Sequence, residues 1–196
     1  MSSENRTSVP NSLNEHWMPF TSNKDFKANP RLITEAKGVY LKTHHGKTQI
    51  DASSGLFCNP LGHGRREITE AVTKQLDTLD YAQPFQQGFG GSFELATRIS
   101  KHTPADLNKM FYTICGSTAV ETAIQIAVAY HRAKGNAHRF RFVGRERGYH
   151  GMNIGCVSVG GMINNVKTFA SILMPGVQHM RHTHFPEHKF VSGQPE

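Results

Sequence analysis

Apolar residues recur at helical spacing in three stretches of the chain. Between positions 66 and 79, Ile68, Val72 and Leu76 fall on one face. Phe93, Leu95, Ala96 and Ile99 do so between 92 and 103, and Val120, Ile124, Ala127 and Val128 between 118 and 133. This spacing predicts three amphipathic helices, the last the longest. Strand signals are shorter. Residues 38–41 and 48–51, joined across His44-His45-Gly46, read as a β-hairpin with a glycine turn. The run KMFYTI (109–114), rich in β-formers, reads as a buried strand, RFRFVG (139–144) as a strand by its alternation, and 154–159 as a further one. Strand, helix and strand in succession predict an α/β fold with a mostly parallel sheet. Only about three such strands accumulate, fewer than a sheet covered on both faces usually needs, so the pattern describes an incomplete architecture.

The remaining stretches lack periodicity. Residues 1–15 are polar and expected to be disordered. HWMPFT (16–21) is an aromatic cluster that its proline keeps from forming regular helix. Positions 51–64 are small residues and glycines around Leu56, Phe57 and Leu61, which predicts a loop. The chain thus divides into a tail (1–15), an N-terminal segment with the hairpin (16–64) and part of a larger α/β domain (65–196).

Composition narrows the function classes. Hydrophobic residues make up 37%, and 18 glycines bring the chain into the globular range. The net charge of +7 raises the question of nucleic acid. The basic residues are scattered apart from Arg139, Arg141, Arg145 and Arg147, and no RNA-binding aromatic motif or helix-turn-helix accompanies them, so no nucleic-acid partner is expected. No run of 18 apolar residues exists and the polar start has no apolar core of a signal peptide, so no membrane role is expected. Cys58, Cys115 and Cys156 lack CxxC spacing and read as reduced thiols, which points to the cytoplasm. His179, His182, His184 and His188 read as solvated loop histidines, and no metal site is expected.

Two segments carry candidate chemistry. In FYTICGSTAV (111–120) a predicted strand ends, Gly116 follows, and the long helix begins at Ser117-Thr118. Unpaired amides and the positive end of the helix dipole sit there, a glycine lets an anion approach the backbone, and the hydroxyls can donate, so the segment can bind phosphate. A plain N-cap explains the same residues. The segment is neither a Walker A loop nor a dinucleotide fingerprint. The second segment, GRERGYHG (144–151), follows a predicted strand, where ligands collect in open α/β sheets. Its glycines can present Tyr149 to stack on a flat heteroaromatic and His150 to hydrogen-bond beside it; a glycine turn with Tyr149 as packing is the alternative.

In this order and about thirty residues apart, the two segments resemble the class III aminotransferases of pyridoxal-phosphate (PLP) fold type I, nearest the ω-amino acid (β-alanine):pyruvate enzymes. HWMPFT, AKGVYL (36–41), GLFCNPLGHG (55–64), LDYAQPFQQG (79–88), CGSTAVETA (115–123), AYHRAKG (129–135), GRERGYHG and SVGGMINN (158–165) carry the resemblance. It implies a fold consisting of an N-terminal segment plus the first part of the mostly parallel large-domain sheet, with 65–196 a partial PLP-binding domain. It also implies that Gly116 and Ser117 hold the cofactor phosphate, that Tyr149 stacks on the pyridine with His150 beside it, and that Phe20, Leu56, Phe57 and Phe85 line the substrate pocket of a homodimer. The implied reaction moves an amino group from an amine or ω-amino acid to pyruvate. Thr118 replaces the family's usual acidic residue, Cys115 a commoner Ser or Asn, and Phe57 a common Trp. No lysine here lies in the family's catalytic, Schiff-base-forming motif, so this stretch alone is expected to be inactive. The alternative is a non-catalytic truncated relative that binds PLP or a full-length partner.

Overall fold

The computed structural model describes residues 12–184. The chain forms two compact units that divide between Gly90 and Gly91.

In the first unit the sequence HWMPFT is held as irregular backbone by one side chain. Asn23 accepts from the Met18 amide (2.9 Å) and donates to the Met18 and Thr21 carbonyls (2.9 and 3.0 Å). A short helix α1 (Asn23–Ala28) follows, and then the antiparallel strands β1 (Ile33–Lys37), β2 (Tyr40–Thr43) and β3 (Thr48–Ile50). β2 and β3 are the expected hairpin, with Tyr40 opposite Ile50 and Gly46 in the left-handed region (φ +77°) at the turn. β1, not expected from its mixed sequence ITEAK, joins because Lys37 and Tyr40 face each other across a tight turn at Gly38. After the 51–64 loop comes helix α2 (Arg66–Thr78), as the periodicity predicts, with an Arg66–Glu70 ion pair (2.7 Å) one turn apart on its surface. Its apolar stripe, Ile68, Val72 and Leu76, remains about half exposed.

The second unit contains helix α3 (Gly90–Ser100), the long helix α4 (Gly116–Ala133), strand β4 (Phe142–Arg145), helices α5 (Ile154–Val159) and α6 (Ile163–Thr168), a 3-10 turn (Ala170–Ile172) and strand β5 (Val177–Met180). β4 and β5 pair in parallel, Phe142 opposite Val177 and Arg145 opposite Met180, so the connection between them is a helical crossover. α5 packs against α4, β4 and β5 and supplies the core: Gly155, Cys156, Val157 and Ser158 are buried.

Three sequence expectations change here. Residues 154–159 form helix α5 and not a strand. Four consecutive positions, Gly155 to Ser158, are buried, so the run has no polar face whose period could distinguish the two, and its backbone pairs internally, as in Val157 N–H to Asn153 C=O (2.8 Å). Residues 109–114 form no strand and pair with none among the described residues, and Phe111 and Ile114 are exposed (72% and 94%). Their β-forming character favours a strand only where a neighbouring ladder exists. Residues 177–180, which include a histidine expected in a solvated loop, form β5. His179 therefore lies on a strand, its Nε2 2.7 Å from the Gly160 carbonyl, whereas His188 falls outside the described residues.

Candidate active site

The second unit brings the two chemistry-bearing segments together. Cys115 is fully extended (φ −163°, ψ 169°) and the first intrahelical bond of α4 runs from Ala119 N–H to Cys115 C=O (3.0 Å). The amides of Gly116, Ser117 and Thr118 therefore have no partner within the helix, and no side-chain hydrogen bond caps them. A β-carbon built on Gly116 meets nothing within 4 Å. The Cys115 thiol lies 3.3 Å from Thr118 Oγ1; that hydroxyl first, then the Thr118 and Ser117 amides, hold its pKa below the ordinary thiol value. The start of α4 thus favours an anion at the atoms from which the sequence predicts phosphate binding.

The loop after β4 lies against this turn. Gly151 adopts φ +114°, and a β-carbon there would fall 2.3 Å from Ser117 Oγ, a position only glycine can occupy. The next amide, Met152 N–H, donates to Ser117 Oγ (3.3 Å). Tyr149 and His150 precede this contact directly; both are exposed, Tyr149 by 59%. Gly116, Ser117, Tyr149 and His150 consequently belong to one neighbourhood, in which the two segments meet at Ser117 and Gly151.

Phe20, Leu56, Phe57 and Phe85 lie in the first unit and are all exposed. Phe20, Leu56 and Phe57 have left-handed backbone (φ +50°, +56° and +68°), unusual for large side chains. The loop that bears Leu56 and Phe57 is tied at its root by Asp51. Its carboxylate accepts from Gly55 N–H (2.8 Å), Ser53 N–H (3.2 Å), Ser53 Oγ–H (3.1 Å) and His63 Nε2–H (3.0 Å). Asn59 Nδ2–H donates to the other His63 nitrogen (2.7 Å). The His63 bond first, then those from Ser53 and Gly55, lower the Asp51 pKa.

Sequence reasoning missed three contributors. Cys156 is fully buried and its thiol donates to the Ser117 carbonyl (3.1 Å) and toward Glu121 Oε2 (3.7 Å). Burial first, then the Glu121 charge, raises its pKa, so the thiol stays protonated. Gly155 makes room for the Glu121 carboxylate, 2.7 Å from where a β-carbon would stand. The available signal was the density of glycine: six between 144 and 161 mark a segment that other backbone approaches closely.

Comparison with known proteins gives a consistent result. The family description Aminotransferase class-III matches residues 21–193. The omega-aminotransferase of Caulobacter vibrioides is 45% identical over 95% of this chain and 42% of its own length, and the omega-amino acid–pyruvate aminotransferase of Pseudomonas putida 44% over 94% and 41%. Among solved structures, adenosylmethionine-8-amino-7-oxononanoate aminotransferase from Methanocaldococcus jannaschii superposes with a TM-score of 0.82 at 32% identity, over 89% of this chain and 39% of that one. An omega transaminase from Pseudomonas jessenii in complex with PMP gives 0.83 at 27%, over 91% and 40%. The chain spans about two fifths of the length of these relatives. It belongs to the class-III aminotransferases, a family of pyridoxal-phosphate-dependent enzymes whose fold it shares.

Proposed function

We propose that this chain supplies the phosphate cradle and the ring-facing surface of a transaminase that moves an amino group from an ω-amino acid or amine to pyruvate. The observation that carries the reading is the open, unpaired start of α4 at Gly116 with the Gly148–Gly151 loop seated on it. The residues fit the cofactor: a β-carbon at Gly116 would fill otherwise empty space beside amides that have no partner within the helix, which is the opening a phosphate oxygen needs. The Gly116 and Ser117 amides and the Ser117 hydroxyl hold the phosphate, Tyr149 covers one face of the pyridine, and His150 stands at its edge. When bound, PLP supplies an electron-withdrawing ring that stabilises negative charge developing on the substrate carbon. Phe20, Leu56, Phe57 and Phe85 exclude water from the apolar part of the substrate. We assign no lysine of this chain to catalysis.

The proposed assembly is a homodimer, in which a second copy covers exposed aromatic side chains of the first unit, Trp17, Phe20, Phe57 and Phe85. The substrate pair follows from the names of the relatives, among them omega-amino acid–pyruvate and beta-alanine–pyruvate aminotransferases. A cytoplasmic location is supported by three unpaired cysteines. No helix of the described residues is long and apolar enough to cross a membrane. The test is a titration of the natural protein that carries this sequence with PLP, followed by absorbance. Saturable binding that inorganic phosphate competes away is expected. Absence of saturable binding refutes the reading.

A further inference from the structure

Ser117 is held from two directions by a single short segment. Its Oγ accepts the Met152 amide, and its carbonyl accepts the Cys156 thiol, which also reaches Glu121 one helical turn further along α4. The proton on Ser117 Oγ has no acceptor among the described residues. With its oxygen already accepting from the protein, this hydroxyl is oriented to donate outward.

We infer that residues 151–156 form a clamp that turns Ser117 into a dedicated phosphate donor, with Cys156 and Glu121 as its positioning residues. The inference rests on the phosphate cradle proposed above and deepens it. Three features make the segment a clamp and not incidental packing. Gly151 permits contact with Ser117 that any β-carbon would prevent. Cys156 is completely buried and spans Ser117 and Glu121, so it fixes the first turn of α4 relative to α5. Gly155 lets the Glu121 carboxylate reach the thiol, and burial first, with that charge beside it, keeps the thiol in its donating form.

The clamp acts on the phosphate and not on the ring, which gives a readout that general loosening of the fold would not reproduce. In the natural protein, Cys156→Ala is compared with wild type for binding of PLP and of pyridoxal, which lacks the phosphate, with thermal melting recorded alongside. PLP binding is expected to weaken about tenfold, the size of one net hydrogen bond, while pyridoxal binding stays within about twofold; Cys156→Ser, which keeps a donor, restores most of the loss. In a Ser117→Ala background Cys156→Ala is expected to have little further effect on PLP, because the donor it orients is gone. Equal weakening of PLP and pyridoxal, or unchanged PLP binding in Cys156→Ala, overturns the clamp. A wild-type protein that binds neither compound overturns the cradle itself.

Discussion

Replacing Gly116 by alanine should separate folding from cofactor binding. Gly116 opens α4, its φ is not in the left-handed region, and a β-carbon there meets nothing within 4 Å. Alanine therefore introduces neither clash nor backbone strain. It should stabilise the helix, by up to about 1 kcal/mol, because it loses less conformational freedom on folding than glycine does. Binding should move the other way. The added methyl occupies the approach to the helix amides and removes or lengthens a hydrogen bond to a charged oxygen, a loss of about 1.5–3 kcal/mol, or roughly 10- to 150-fold in affinity. The assay pairs a urea or thermal melt of the apo protein with a PLP titration followed by absorbance. A variant that melts at or above wild type and binds PLP at least tenfold more weakly meets the expectation. A variant that binds PLP normally removes Gly116 from the cradle; one that melts well below wild type shows that the glycine is there for packing.

Two further expectations follow from charge. Cys115 should react with iodoacetamide at pH values where an ordinary thiol is still protonated, because the Thr118 hydroxyl and the neighbouring amides favour its anion, and bound PLP should slow the reaction by occupying the same amides. Mass spectrometry on the Cys115 peptide, with buried Cys156 as the unreactive comparison, measures this; indifference to PLP would contradict a shared site. The Asp51 network should impose a pH dependence on the 51–64 loop. The Asp51 pKa is lowered on folding, so its contribution is complete above the ordinary carboxyl value and is lost as pH falls through the lowered one. Hydrogen exchange at residues 53–57, corrected for intrinsic rates, should accelerate in that acid range, and Asp51→Ala should show the same fast exchange at neutral pH. A flat profile would mean that the left-handed turns at Leu56 and Phe57 hold without the carboxylate.

The sequence by itself determined what local spacing can encode. Helices α2 and α4 follow from apolar residues at intervals of three and four, and the hairpin from β-formers on either side of Gly46. Gly116 and Ser117 could be named as candidate phosphate donors because a glycine and a hydroxyl at a helix start express a backbone property that needs no distant partner. Tertiary structure decided whatever depends on a neighbour. Residues 109–114 have strand composition but no ladder partner among the described residues, whereas 177–180 lack a strand pattern and become β5 because β4 lies alongside. Residues 154–159 became helical with Gly155 to Ser158 buried, and that burial set Cys156 against Ser117 and Glu121, more than thirty positions earlier in the chain. Periodicity reports which face of an element is apolar; it carries no information about which distant backbone will meet that face, and the clamp on Ser117 is built from such meetings.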